Sequence, residues 1–169
     1  MKTTQIGNLS LPSSRLIYGC MRINGDNSAQ ALNNGKAAIR AAIDAGYNHF
    51  DHADIYGGGV CESIFGEVMK ESPELRDQLI VTSKAGIRFA NTPNDGDVGR
   101  YDFSKSYIID QVEGSLKRLN VDALDLFLLH RPDYLFDPQE VAETFEQLKR
   151  EGKVKHFGVS NFSPSQVSL

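Results

Sequence analysis

The chain is poor in cysteine, has no long apolar run and carries no surplus of basic charge. Each shortage closes off a class of protein. Its two cysteines, Cys20 and Cys61, make no metal-spaced cluster and read as free thiols of a reducing compartment. No apolar stretch approaches the roughly 20 residues that span a bilayer, and Met1–Leu11 lacks the basic-then-apolar pattern of a signal peptide. Both absences point to the cytoplasm. Lys and Arg number 18 against 22 Asp and Glu, a net charge of −4; this speaks against a nucleic-acid partner and against a polybasic membrane footprint. No G-x-G-x-x-G follows the first apolar run, and no G-x-x-x-x-G-K-[ST] occurs, so the Rossmann fingerprint and the phosphate-binding loop are both missing. Length is modest as well. A chain of 169 residues makes one domain with a sizeable core, whereas a closed barrel of eight strand–helix units takes about 250.

What is present is regular. Apolar residues make up 40% and charged residues 24%, the balance of an ordinary globular domain. Short, continuously apolar runs lie at Leu16–Cys20, Tyr47–Asp51, Leu79–Ser83, Leu124–Leu129 and His156–Val159. Continuity rather than alternation predicts strands covered on both faces. Amphipathic segments separate them. Ala37–Ala45 reads as a helix closed by Gly46, Glu62–Lys70 as a second, and Ser104–Leu119 as a third with Ile108, Val112, Leu116 and Leu119 on one stripe. A fourth has Asp137 as N-cap, Pro138 as first residue, Glu140 as third and Gly152 beyond its end. The order βαβαβαβαβ, with a short hairpin over Thr3–Leu11, demands parallel strands joined by right-handed crossovers. Residues 1–169 form a single domain. The Gly86–Phe103 connection alone is long and aperiodic, a length usually functional or mobile; its Phe89, Tyr101 and Phe103 are candidates to line a pocket or to pack locally.

Ionisable residues close three of these strands: Asp51 the second, Lys84 the third, His130 the fourth. Taken singly, Asp51 reads equally as a turn cap, Lys84 as a solvated loop residue and His130 as a core histidine. Together they fall on the face where the carboxyl ends of parallel strands assemble active sites. Tyr56 follows Asp51 by five residues and folds over the same rim. A phenol is protonated at neutral pH, and it becomes a useful proton donor when a neighbouring ammonium stabilises the phenolate left behind. Lys84 offers that charge, Asp51 a partner for Lys84, and His130 a hydrogen bond to a substrate oxygen. This is a device for protonating a carbonyl as hydride arrives, and since no side chain donates hydride, a nicotinamide cofactor is required.

These residues stand in segments that resemble the aldo-keto reductases: Ala45-Gly46-Tyr47-Asn48-His49-Phe50-Asp51, Ala53-Asp54-Ile55-Tyr56-Gly57, Thr82-Ser83-Lys84, Asp125-Leu126-Phe127-Leu128-Leu129-His130 and Gly158-Val159-Ser160-Asn161-Phe162. The resemblance implies a (β/α)8 TIM-barrel type fold, here truncated to about five βα units, and NADPH-dependent reduction of aldehydes and ketones. It implies a catalytic tetrad of Asp51, Tyr56, Lys84 and His130, with Tyr56 the proton donor, Lys84 tuning it, Asp51 pairing with Lys84 and His130 orienting the carbonyl. Ser160 and Asn161 match residues that hold the nicotinamide carboxamide, and Gly19, Cys20 and Met21 match the turn beneath the cofactor. His52 departs from the family's usual small residue, and Gly57-Gly58-Gly59-Val60 displaces Glu62 from its commonest place. Strands six to eight, the aromatic partner of nicotinamide and the 2′-phosphate pocket are without counterparts.

Other readings compete. A metal-dependent hydrolase is suggested by His49, Asp51, His52 and Asp54, which lie within six residues of one another, yet period-two geometry sets His52 on the opposite strand face and no complete ligand set results. A non-catalytic fragment or regulatory subunit is the stronger rival, because five parallel strands leave open edges that invite self-association, and some members of the resembling family serve channels. The expected partners are a small carbonyl substrate and no nucleic acid, membrane or metal.

Overall fold

The computed structural model describes residues 1–168. A two-residue hairpin opens the chain, with β1 (Thr3–Thr4) antiparallel to β2 (Ser13–Ser14). The main sheet follows: β3 (Tyr18–Gly19), β4 (His49–Asp51) and β5 (Ile80–Ala85), then, after the small β6 (Ile87–Arg88) and β7 (Arg100–Tyr101), β8 (Leu124–Leu129) and β9 (Val154–Val159). Its order is β3-β4-β5-β8-β9 and every pairing is parallel. Helices α1 (Ala29–Asp44), α2 (Val60–Glu71), α3 (Lys105–Leu119) and α4 (Pro138–Arg150) are the crossovers, and a short α5 (Pro164–Val167) follows β9. None of the described helices is long and apolar enough to cross a membrane.

The core lies between the helices and one face of the sheet. Phe50, Val81 and Phe127 reach from alternate strand positions into Ile39, Ile64, Phe65, Val68, Ile108, Val112 and Leu148. Each such large side chain contributes roughly 1.5–3 kcal/mol on burial. The other face carries His49, Asp51, Thr82, Lys84, Leu126 and Leu128 by the same alternation, and there Leu126 and Leu128 are only half buried.

Local signals placed the elements with instructive exceptions. Asp137 caps α4 as expected, accepting from the N–H groups of Gln139 and Glu140. Helix α1 starts at Ala29, well before Ala37, because the Ser28 side chain accepts from the Ala31 N–H and supplies an N-cap ahead of the alanine-rich stretch. The first strand shrinks to Tyr18–Gly19, leaving Leu16 and Ile17 exposed. Strand β9 begins at Val154 and is half exposed, not covered on both faces, since it is an edge strand. The long connection after Gly86 is not wholly aperiodic: Ile87 and Arg88 pair with Tyr101 and Arg100. Phe103 is buried there against Phe136, whereas Phe89 and Tyr101 are exposed.

Candidate active site

The carboxyl rim of the sheet is staggered, and its hydrogen bonds run on past the strand ends. Cys20 N–H donates to Asp51 O, His52 N–H to Thr82 O, Asp54 N–H to Lys84 O, His130 N–H to Ala85 O and Ser160 N–H to Leu129 O, all at 2.9–3.0 Å. The residue after each strand is thereby fixed by its neighbour, which is why side chains from separate strands arrive at one level.

Lys84 is the centre of what they build. It is buried, and its Nζ donates to both carboxylate oxygens of Asp51 and to the His52 carbonyl, each at 2.7 Å. Three acceptors satisfy the three N–H bonds of an ammonium, so the charge is held in place. The ammonium stands 5.1 Å from the centroid of the Tyr56 ring. The Tyr56 ring meets His130 edge to face, with centroids 6.0 Å apart. Burial, with the nearby Lys84 and Arg131 charges, pushes the His130 imidazole down to about 4. It is therefore neutral at pH 7. Its Nδ1 is enclosed with no partner among the described residues, so the tautomer protonated at Nε2 is the one that leaves a usable donor.

The loop that carries Tyr56 needs its glycines. Tyr56–Gly59 forms a single helical turn in which Gly57, Gly58 and Gly59 take φ of 58°, 62° and 91°. Successive left-handed residues are tolerated only without a Cβ, which accounts for the glycine run that departs from the family pattern. One level below, His49 bridges Ser13 Oγ (2.9 Å) and Thr82 Oγ1 (2.7 Å) in a dry position beneath Asp51.

At the β8–β9 end, Asn161 takes a left-handed φ of 65°, and its Nδ2 donates to the His130 carbonyl (2.9 Å) and to Ser160 Oγ (3.0 Å). Its amide oxygen remains an acceptor. Gly19 sits exposed at the end of β3, with nothing in reach of a Cβ placed there. Beside it the Cys20 side chain is fully buried while Met21 is exposed, so Cys20 offers the rim its backbone only. Asp51, Tyr56, Lys84 and His130 thus meet at one place, with Ser160 and Asn161 on its β9 flank and Gly19 at the far strand. The residues of the metal alternative do not converge: His49 binds Ser13 and Thr82, Asp51 binds Lys84, and His52 turns inward against Phe65 at 4.7 Å. No metal-holding group of His, Cys, Asp and Glu occurs among the described residues.

Two acids, Asp54, weighed above only as a metal ligand, and Glu62, noted above only for its displaced position, prove to be buried. Asp54 has both oxygens enclosed without a hydrogen bond, and burial with the neighbouring Glu62 pushes its carboxyl up to about 7. Glu62 is wholly buried. The visible signal for Glu62 was a charge on the apolar side of α2, between Cys61, Ile64 and Phe65. Asp54 stood out only by its closeness to His49, Asp51 and His52, which gave no sign of its burial.

The model of the aldo/keto reductase family matches residues 15–169, and the chain belongs to that family. It is 46% identical to oxidoreductase YdhF of Escherichia coli over 92% of this chain and 51% of the relative, and 40% identical to a 6-dehydroglucose reductase of Agrobacterium fabrum over 94% and 54%. Among solved structures, the glycerol dehydrogenase AKR11B4 from Gluconobacter oxydans superposes with a TM-score of 0.86 at 33% identity, over 98% of this chain and 50% of that one. The holo form of aldo-keto reductase AKR11C1 from Bacillus halodurans gives 0.84 at 32%, over 99% and 53%. The sheet is therefore about five βα units of the (β/α)8 type. The chain spans about half the length of the curated relatives it matches.

Proposed function

We propose that the chain carries the proton-donating machinery of an NADPH-dependent oxidoreductase that reduces aldehyde or ketone carbonyls to alcohols. The observation that carries this reading is the Lys84 ammonium, fixed by both Asp51 oxygens and standing over the Tyr56 ring beside a neutral His130. The Tyr56 hydroxyl donates its proton to the carbonyl oxygen, and the adjacent ammonium stabilises the phenolate that remains. Asp51 keeps the ammonium from turning away, and His130 offers its Nε2–H to the same oxygen and orients the substrate. A reduced nicotinamide supplies the hydride when bound.

The residues at the rim fit such a cofactor. Asn161, with Nδ2 committed, presents its amide oxygen to a carboxamide N–H, and Ser160 stands next to it. Gly19 keeps the strand end clear, and the backbone of Cys20 and Met21 continues that turn. The choice of NADPH over NADH rests on family membership. We place the activity in the cytoplasm, the compartment that keeps thiols such as Cys20 and Cys61 reduced. Since two relatives are named for glucose and glycerol chemistry, polyhydroxylated aldehydes and ketones head the substrate panel.

Tyr56→Phe removes the donor and leaves the ring. Carbonyl reduction falls about 10²- to 10⁴-fold, while NADPH affinity, read from its fluorescence, stays close to that of the parent. Undiminished turnover in Tyr56→Phe overturns the assigned role. A parent protein that binds NADPH and oxidises it with no carbonyl of the panel is a binding module.

A further inference from the structure

Glu62 carries a carboxylate with no exposed surface, and different elements take its two oxygens. Oε1 accepts from Ser83 Oγ at 2.6 Å, on β5 immediately before Lys84; Oε2 accepts from Arg118 Nε at 2.7 Å, near the end of α3. A buried ion pair is a weak source of net stability compared with an apolar replacement, so folding energy alone explains it poorly. Arg118 shows what the pair holds. Its side chain lies across Gly59, the last residue of the turn that begins with Tyr56, so closely that a Cβ on Gly59 would stand 2.8 Å from Arg118 Cδ. A Cβ on Gly114 would stand 2.9 Å from Nη1, and one on Gly66 only 2.0 Å from the Arg118 carbonyl oxygen. Three glycines on three elements thus open the seat of one arginine. From α2, Ser63 Oγ donates to the Gly59 carbonyl at 3.2 Å, gripping the same turn.

We infer that Glu62 is a positioning residue, which through Ser83 on one side and Arg118 on the other sets the Tyr56 turn at its working distance from Lys84. The inference rests on the proton-donor reading of Tyr56. Lys84 and Tyr56 belong to different elements, yet the effect of the ammonium on a phenolate depends directly on their separation. Glu62 ties both elements to a common point. Asp54 fits this picture: one arginine serves two buried carboxyls, Glu62 takes it, and Asp54, left without a partner, keeps its proton up to about pH 7.

The test compares Glu62→Gln and Ser83→Ala with the parent protein, labelled with 13C in its tyrosine rings. The Tyr56 signal is assigned by its loss in Tyr56→Phe. In Glu62→Gln the Tyr56 signal moves, and kcat falls about 10- to 100-fold, the cost of a reacting group misplaced by about 1 Å. KM and NADPH affinity change little. Ser83→Ala deletes one hydrogen bond and spares the ion pair; it gives the same changes to a smaller degree, and decides the matter if Glu62→Gln fails to fold. Folded variants that melt earlier but keep the parent Tyr56 signal and kcat overturn the inference, because Glu62 then only stabilises the fold. Should Tyr56→Phe itself retain full kcat, the proton-donor reading fails separately, and the position of the Tyr56 signal alone decides for or against Glu62.

Discussion

At the amino end of the sheet, Asp125, the second residue of β8, is a buried carboxylate whose contacts are complete. It accepts from the Val81 N–H at 2.9 Å, from Arg76 Nη1 at 3.0 Å and from Lys155 Nζ at 2.8 Å. Burial pushes its carboxyl up, but the hydrogen bonds from Lys155, Arg76 and Val81 outweigh that and hold it below the usual carboxylate range. At the carboxyl end the charges are handled differently. Lys84 is saturated, yet it faces a half-buried phenol, a histidine with an unpartnered Nδ1 and, behind the loop, an Asp54 whose oxygens accept no hydrogen bond. A region built for stability satisfies its polar groups. The rim leaves some unsatisfied beside a fixed charge, as a site does that must lend hydrogen bonds to a substrate.

Lys84→Met breaks the comparison most sharply. Carbonyl reduction drops about 10²- to 10⁴-fold, but melting changes less than for a core ion pair because Asp51 is partly exposed and rehydrates. Kinetics beside thermal melting read both. At the opposite end Asp125→Ala costs about 2–4 kcal/mol in urea denaturation, below the full value for a buried pair because Lys155 is 45% exposed. Turnover per folded molecule stays at the parent level. If Asp125→Ala abolishes turnover in folded protein, the division of labour between the two ends is wrong.

A third prediction concerns pH. Folded Asp54 holds its proton up to about 7, whereas an unfolded aspartate ionises near pH 4. Between those values the folded state binds more protons, so this group makes stability fall as pH rises from about 4 to 7. His130 and His52, pushed down to about 4 and about 3 chiefly by burial, act in the other direction. Below about pH 6.5 they protonate when unfolded but not when folded, so acid weakens the fold. Asp54→Asn removes only the first effect. Its stability rises more steeply with pH than the parent's, by up to about 1.4 kcal/mol per unit between pH 4 and 7. Identical slopes in denaturation series at several pH values refute the buried-acid assignment.

The smallest effect belongs to His52, whose two ring nitrogens are buried without partners against Phe65. His52→Leu removes those orphans and changes stability by no more than about 1 kcal/mol, in the favourable direction. A loss well above that in calorimetry shows that the imidazole has a partner.

Much of this was legible before the fold was known. Three apolar runs that end in Asp51, Lys84 and His130 put those residues at one carboxyl rim of a parallel sheet, and Asp137-Pro138 announced α4. The failures share a cause. The exposed start at Leu16–Ile17 and the half-exposed β9 depend on being at a sheet edge, which apolar composition does not encode. Ser28 was passed over as a cap because the alanine-rich stretch drew the helix start toward Ala37. Asp54, two residues from Tyr56, entered only as a metal candidate, because its burial beside Glu62 depends on residues far along the chain.

By itself, the sequence determined the βα alternation, the parallel strand class and the strand ends at which Asp51, Lys84 and His130 fall, because apolar runs, helix stripe and cap chemistry act over a few neighbouring residues. Only the tertiary structure decided that one lysine is shared by Asp51 and the His52 carbonyl, that Arg118 rests on three glycines against Glu62, and that Asp54 and His52 are shut away unpartnered. Those outcomes follow from the stagger of strands and the approach of α2 to α3, which join residues about 20 to 60 positions apart and set whether a charge meets a partner, a ring or nothing.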